Sequence, residues 1–132
     1  MNRPKPTSGL RHLALNVINL EASSHFYTEL LGMKISWQPD PDNIYLSSGN
    51  DILALHRAPK DFQPNAYQYL DHLGFIIDEV EQVDVWHEFL KSHGVTIKAA
   101  PRTHRDQSRS FYCYDPDDNV VQFIYEPNVS AS

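Results

Sequence analysis

The sequence has few cysteines and few basic residues, and it has neither a long apolar run nor a signal-peptide segment. Each of these shortages argues against a class of protein. It holds a single cysteine, Cys113, so no disulfide forms within the chain and a reducing compartment is expected. No apolar run is long enough to cross a bilayer, and the N-terminal residues lack the apolar segment of a signal peptide. Eleven Lys and Arg stand against seventeen Asp and Glu, which argues against broad nucleic-acid binding. We therefore expect a cytoplasmic protein that binds neither nucleic acid nor a membrane.

What the sequence does contain is typical of one globular domain. The chain has 132 residues, of which 41% are hydrophobic and 21% are charged. This length is sufficient for a single hydrophobic core. We expect residues 1–9 to be a disordered lead-in, residues 10–127 to form the domain, and residues 128–132 to be a short tail.

The order of predicted elements occurs twice along the chain. A strand at "LRHLALNV" and a helix over "NLEASSHFYTELLGM" precede three strands, at "MKISWQ", "NIYLSSG" and "DILALHRA". From residue 70 the order starts again with "LDHLGFII", the helix "VEQVDVWHEFLKSHG", and the strands "VTIKAA", "SRSFYCY" and "NVVQFIYE". We interpret this pattern as an internal duplication, with module 1 at about 10–58, a linker at about 58–69 and module 2 at about 70–127.

The two modules share particular residues as well as their order. His12 corresponds to His72 in the first strand of each module, and Tyr45 corresponds to Tyr112. When the last strands of the two modules are aligned from the turns that precede them, Ala54 corresponds to Gln122. Because side chains alternate between the two faces of a strand, one face of each sheet is bulky and apolar. The other face is small, polar and rich in groups that bind ligands, which suits a concave pocket.

These features resemble the vicinal oxygen chelate superfamily, which includes glyoxalase I, extradiol dioxygenases, fosfomycin-modifying enzymes and bleomycin-binding proteins. The segments "HFYTELLGMKI" and "SFYCYDPDDNVVQF" are similar to the superfamily's two most recognisable stretches, the second to its "FYxxDPDGN" turn. The resemblance implies an α+β fold of two βαβββ modules. Their mixed sheets would curl around a shared cup, with the helices on the outer faces.

The resemblance also implies a metal site. Members that use a metal take ligands from the first and last strands of each module, and the matching residues here are His12, Ala54, His72 and Gln122. Ala54 has no group that binds a metal, so the implied ligands are His12, His72 and Gln122. They would hold one divalent ion (iron, zinc, nickel or manganese), but Gln122 lacks the charge of the superfamily's usual glutamate. Alternatively, the two histidines are hydrogen-bonded core residues and Gln122 makes a plain cross-strand hydrogen bond.

Four further residues are candidates for substrate binding. His56 lies two positions past Ala54 on the same strand face, and Glu126 lies four positions past Gln122. Tyr112 resembles the tyrosine that fosfomycin-type enzymes place near their substrate, and Arg109 belongs to the basic loop "RTHRDQSRS". The structural alternatives are a strand cap for His56, a buried aromatic for Tyr112 and a solvated loop for Arg109.

Two functions follow from the resemblance. The first is a small enzyme, a lyase, dioxygenase or transferase, whose divalent metal acts as a Lewis acid on a small oxygen-bearing metabolite. Ala54 and Gln122 argue against lactoylglutathione lyase activity, because that reaction uses glutamate ligands. The alternative is a metal-free binding protein of the bleomycin-resistance type, with Trp37, Tyr45 and Tyr112 lining its cup. A purely structural interaction domain has no exposed apolar motif in its favour. The resemblance further implies a homodimer, in which His12 and His72 would meet either within one chain or across the two chains.

Overall fold

The computed structural model describes residues 2–65 and 68–130. Met1, residues 66 and 67 of the predicted linker, and residues 131 and 132 of the predicted tail lie outside the described residues. The chain divides into two compact units, Met1–Pro59 and Lys60–Ser132. In the part of the chain that is described, no helix is long and apolar enough to cross a membrane.

Unit 1 is a βαβββ module. Strand β1 (His12–Val17) is followed by helix α1 (Leu20–His25), a π-helical segment (Phe26–Leu30), and strands β2 (Lys34–Asp40), β3 (Asn43–Ser47) and β4 (Ile52–Arg57). The side chain of Asn19 caps α1 by accepting a hydrogen bond from the Ala22 amide at 3.0 Å. The sheet order is β1-β4-β3-β2, in which β1 and β4 run parallel and the other pairs antiparallel.

Unit 2 repeats this architecture. It consists of β5 (Leu73–Ile76), helix α2 (Val80–Ser92), β6 (Ile97–Thr103), β7 (Arg109–Tyr114) and β8 (Val120–Tyr125). The sheet order is β5-β8-β7-β6, again with one parallel pair, β5 and β8. The predicted α+β class and the two βαβββ modules are therefore confirmed.

The registers also support the residue correspondences read from the sequence. Ala54 lies between Ala14 of β1 and Tyr45 of β3, while Gln122 lies between Gly74 of β5 and Tyr112 of β7. His12 stands two residues before Ala14, and His72 stands two residues before Gly74. The same strand positions in the two units therefore carry the paired residues.

In each unit the helix covers one face of the sheet, and the core lies between them. Leu46, Leu55 and Val17 are fully buried in unit 1, and Phe111 and Phe123 stack at 5.0 Å between ring centroids in unit 2. We call the opposite side of each sheet its helix-free face. In unit 1 the side chains on that face include His12, Ala14, Asn16, Trp37, Asn43, Tyr45, Ala54 and His56. In unit 2 they include Gly74, Ile76, Ser110, Tyr112, Gln122 and Ile124.

Candidate functional site

Gln122 is the centre of a hydrogen-bonded group on the helix-free face of unit 2. Its Nε2 atom donates to the Tyr112 hydroxyl at 3.0 Å, across the β7–β8 pair. On the other side, Gln122 Oε1 would lie only 3.4 Å from a Cβ atom placed on Gly74. The side chain is 9% exposed. The glycine leaves room for the amide, and the tyrosine bonds the end of the amide that faces β7.

His72 joins this group through its ring. The ring meets Tyr112 edge to face, with 5.3 Å between centroids. Its Nδ1 atom is 2.7 Å from the carboxylate Oδ1 of Asp71. An ionised carboxylate only accepts hydrogen bonds, so in the neutral ring Nδ1 carries the hydrogen and Nε2 keeps its lone pair. The bond from His72 is also the main reason that the pKa of Asp71 is lowered.

The histidines therefore do not match the alternative of core residues bonded to backbone carbonyls. His72 is half-buried and bonds to a side chain, and His12 is exposed at the first position of β1. A neutral imidazole whose Nδ1 is held by a carboxylate is the arrangement commonly found for a metal-ligating histidine, because it fixes both the tautomer and the ring orientation.

Unit 1 fills the position equivalent to Gln122 with the fully buried Ala54. Aromatic rings stand beside it on the helix-free face. Trp37, 60% exposed, stacks on Tyr45 at 5.2 Å between centroids, and Tyr45 meets His56 edge to face at 5.9 Å. His56 Nδ1 is 2.6 Å from the side-chain oxygen of Asn43. This face is aromatic where the face of unit 2 is polar.

Arg109 does not group with the other substrate-binding candidates. It alternates with Ser110 along β7 and points to the helix side, where its Nε and Nη2 atoms each lie 2.8 Å from the carboxylate of Asp84 on α2. Its Nη1 atom donates to Thr103 Oγ1 at 3.0 Å. The structure thus uses Arg109 to fix α2 on the sheet, and we omit it from the proposed site.

Glu126 lies just beyond β8, in a turn whose backbone it stabilises. Its amide donates to Ser130 Oγ at 2.8 Å, and its carbonyl accepts from the amides of Val129 and Ser130. The structure does not join Glu126 to the group around Gln122. Tyr112, by contrast, has the side-chain direction expected of it.

The sequence interpretation missed two contributors to these faces, Asp71 and Arg102, and placed a third, His104, only in the basic loop. Asp71 orients His72, and its position directly before the histidine was an available signal. Arg102 pairs with Ser110 across the β6–β7 ladder, so it is Arg102 and not Arg109 that stands on the helix-free face of this hairpin. His104 Nε2 lies 3.0 Å from Ser110 Oγ, a contact across a tight turn that no spacing rule predicts.

The imidazole of His72 and the amide oxygen of Gln122 are compatible with a divalent ion, although neither carries a negative charge. Over residues 2–65 and 68–130 no three His, Cys, Asp or Glu side chains cluster as metal ligands. The proposed set differs from such a cluster because its third member is an amide. A neutral imidazole with a free Nε2 and an amide oxygen are accepted ligands of first-row divalent ions, and each lacks the compensating charge of a carboxylate.

Known proteins resemble this chain over most of its length. The model of the glyoxalase/bleomycin resistance protein/dioxygenase superfamily matches residues 9–123. Metallothiol transferase FosB of Staphylococcus saprophyticus is 32% identical over 110 residues, which cover 82% of this chain and 70% of that protein. Fosfomycin resistance protein FosX of Listeria innocua is 28% identical over 129 residues, covering 87% of each chain.

Solved structures show the same fold. A glyoxalase/dioxygenase from Nostoc punctiforme superimposes with a TM-score of 0.78 at 23% identity, over 96% of this chain and 99% of that one. An integron cassette protein from the mobile metagenome of Vibrio cholerae superimposes with a TM-score of 0.68 at 29% identity, over 93% and 98% of the two chains.

Proposed function

The chain belongs to the glyoxalase/bleomycin resistance protein/dioxygenase superfamily, and on that premise we propose that it is a small enzyme dependent on a divalent metal. The observation that carries this proposal is the group formed by His72, Tyr112 and Gln122. In it the lone pair of His72 Nε2 is left free by the bond to Asp71. His12, the third ligand expected from the sequence, is exposed on the helix-free face of unit 1.

Each residue of the group has a separate task. A divalent ion held there would polarise an oxygen of the substrate as a Lewis acid. His72 and Gln122 would bind the ion, and Asp71 would keep His72 in the binding tautomer. Because Gln122 donates to the Tyr112 oxygen, the Tyr112 proton remains available for a substrate oxygen.

The reaction class that we favour is group transfer onto a small substrate that carries an oxyanion or adjacent oxygens. Two relatives support this choice, since one is named a metallothiol transferase and the other a fosfomycin resistance protein. Fosfomycin with a small thiol is therefore the first substrate pair to test. We further propose iron, zinc, nickel or manganese as the ion, a homodimer as the assembly and the cytoplasm as the location. Burial raises the pKa of the Cys113 thiol to about 12, so this cysteine is not the nucleophile.

Metal binding tests the proposal directly. Untagged protein purified without chelators is analysed by inductively coupled plasma mass spectrometry and titrated with Mn²⁺, Zn²⁺, Ni²⁺ and Fe²⁺. We expect about one ion per chain, and a loss of affinity of at least about tenfold in His72→Ala and in His12→Ala. His25→Ala, a change on the exposed surface of α1, is the matched control and is expected to bind as the wild type does. Failure of the wild type to bind any of the four ions would remove the metal mechanism.

A metal-free binding protein is the second candidate, and one observation favours it. The exposed Trp37 stacked on Tyr45 forms a surface for a flat apolar ligand, as expected in a protein that sequesters small molecules. In this case the protein takes up no metal, and aromatic ligands quench the Trp37 fluorescence. Such quenching should be lost in Trp37→Leu and retained in Trp86→Leu, where the half-buried indole stacks on Phe123 on the helix side of the other unit.

A further inference from the structure

His56 is held in place by a residue on the neighbouring strand. Asn43 and His56 are directly paired in the β3–β4 ladder, so both side chains lie on the helix-free face of unit 1. The contact between His56 Nδ1 and Asn43 Oδ1 is 2.6 Å long. The ring is only half-buried, and its second nitrogen, Nε2, takes no part in this contact.

The chemistry of Asp40 decides which atoms of this contact carry hydrogens. Asn43 Nδ2 lies 2.9 Å from Oδ1 and 3.1 Å from Oδ2 of the Asp40 carboxylate. A carboxylate only accepts, so the amide nitrogen of Asn43 must face it and the amide oxygen must face His56. That oxygen also only accepts, which places the hydrogen of the neutral His56 ring on Nδ1. Nε2 is then a bare acceptor.

The surroundings keep the Asp40 end of this relay ionised. The bond from Asn43 is the main cause of a lowered pKa at Asp40, so the carboxylate stays ionised. Of the neighbouring groups, Asn16 pairs with His56 from β1, and Tyr45 lies against its ring. Arg57 follows on the opposite face, where Glu21 and Asp42 pair with it. No cation of this group is directed at the His56 ring.

We infer that His56 Nε2 is a proton acceptor for a ligand group that carries an acidic hydrogen, a hydroxyl, a thiol or a water. The ligand's hydrogen passes to Nε2 as a proton and leaves its electron pair on the oxygen or sulfur. The ring then carries a hydrogen on each nitrogen and a positive charge. Its Nδ1–H still donates to Asn43 Oδ1, and Asn43 Nδ2 still donates to Asp40. The role of His56 as a base rests on the proposed transfer reaction. The tautomer of His56 does not depend on that reaction.

The tautomer is tested first, by long-range ¹H–¹⁵N correlation spectra of the full chain, with His56→Gln assigning the signals. The expected result is a protonated Nδ1 and an unprotonated Nε2 at neutral pH. Asn43→Ala should return His56 to a mixture of tautomers, and Asn128→Ala, a change in the exposed C-terminal turn, should leave the spectrum of His56 unchanged. A protonated Nε2 in the wild type would overturn the relay.

Access to the acceptor is tested without any substrate, by reaction with diethyl pyrocarbonate and peptide mass spectrometry. We expect His56 to be modified at least as fast as the exposed His25; protection of His56 would refute an available acceptor. In the metal-loaded protein with fosfomycin and glutathione, His56→Gln should lower kcat about 100-fold with unchanged metal content. An unchanged kcat would overturn the role as base. Absence of both metal uptake and turnover would instead reject the proposed function, and the first two measurements would still decide the tautomer and the access.

Discussion

Replacing Gln122 by glutamate should strengthen metal binding, because it adds the one feature that the donor set lacks. The substitution changes an amide nitrogen to an oxygen, so the shape of the side chain is kept. A single negative charge at about 2.1 Å from a divalent ion gains about 4 kcal/mol even at the dielectric constant of water. That energy corresponds to almost three orders of magnitude in affinity.

Part of this gain is offset by the position of the side chain. Gln122 is 9% exposed, and the new carboxylate loses hydration in the metal-free protein. Tyr112 limits the loss, because its hydroxyl can reverse its role and donate to the carboxylate in place of accepting from the amide. We therefore expect the apparent affinity of Gln122→Glu for Zn²⁺ or Mn²⁺ to rise by about 10- to 100-fold.

The reversal at Tyr112 has a second consequence that separates metal binding from substrate binding. In the variant the tyrosine proton is engaged with the new carboxylate, so it is no longer free for a substrate oxygen. We expect KM to rise while the metal is held more tightly. A charge that does not contact the ion predicts a much smaller gain in metal affinity.

Isothermal titration calorimetry measures the affinity, with Gln82→Glu as the matched control. Gln82 is exposed on α2 in the same unit, so this control adds the same charge away from the site. An affinity of Gln122→Glu equal to that of Gln82→Glu would show that residue 122 does not contact the ion, and the proposed ligand set would be wrong.

Three further predictions concern stability, each measured by urea unfolding. Arg109→Met should lose about 0.5–1 kcal/mol at pH 7, a figure discounted for the partly exposed ion pair with α2. The pKa of its aspartate partner is lowered by the hydrogen bonds from Arg109, so this stability is present above about pH 4 and is lost as the pH falls through the lowered value; a constant difference from wild type down to pH 2 would contradict the ion-pair explanation. Asp118→Gly should gain about 0.5 kcal/mol because residue 118 has φ +65°, whereas Asp117→Gly should not, and a loss in the first variant would show that the left-handed turn is not strained. Ala54→Glu should lose roughly 3 kcal/mol because the site is fully buried, while Ala14→Glu, an exposed neighbour on the same face, should cost little; equal losses would refute the difference in burial.

The fold and the residue correspondences could be predicted because they depend on local patterns that repeat. Alternation of apolar side chains fixes which residues share a face, and turn residues fix where each strand begins. Together these patterns matched Tyr45 to Tyr112 and Ala54 to Gln122, and the ladders place each matched pair at equivalent positions: Tyr45 beside Ala54 in unit 1 and Tyr112 beside Gln122 in unit 2. The same reasoning separated the helix-covered face of each sheet from the face that carries the candidate ligands.

The predictions failed where the direction of a side chain depended on where a strand begins or on its register, or where a contact joined distant residues. Arg109 was assigned to a loop, whereas it is the first residue of β7, where alternation puts it on the face opposite to Tyr112. Arg102 faces the ligand side because of register shifts in β6 that the sequence does not reveal. The orientation of His56 depends on Asn43, thirteen residues away, and on Asp40 beyond it. Such hydrogen bonds are set by the final ladder register, so residue spacing alone could not predict them.

The two units show how one sheet topology can carry two kinds of surface. At equivalent positions, Gln122 stands between Gly74 and Tyr112, whereas Ala54 stands between Ala14 and Tyr45. One strand further out, Ala99 pairs with Tyr112, but Trp37 pairs with Tyr45. Small neighbours therefore accompany the polar centre in unit 2, and a large aromatic neighbour accompanies the small centre in unit 1. Because the space on a sheet face is limited, a ligand group at the centre and a stacking surface beside it compete for the same volume, and each unit has kept one of the two.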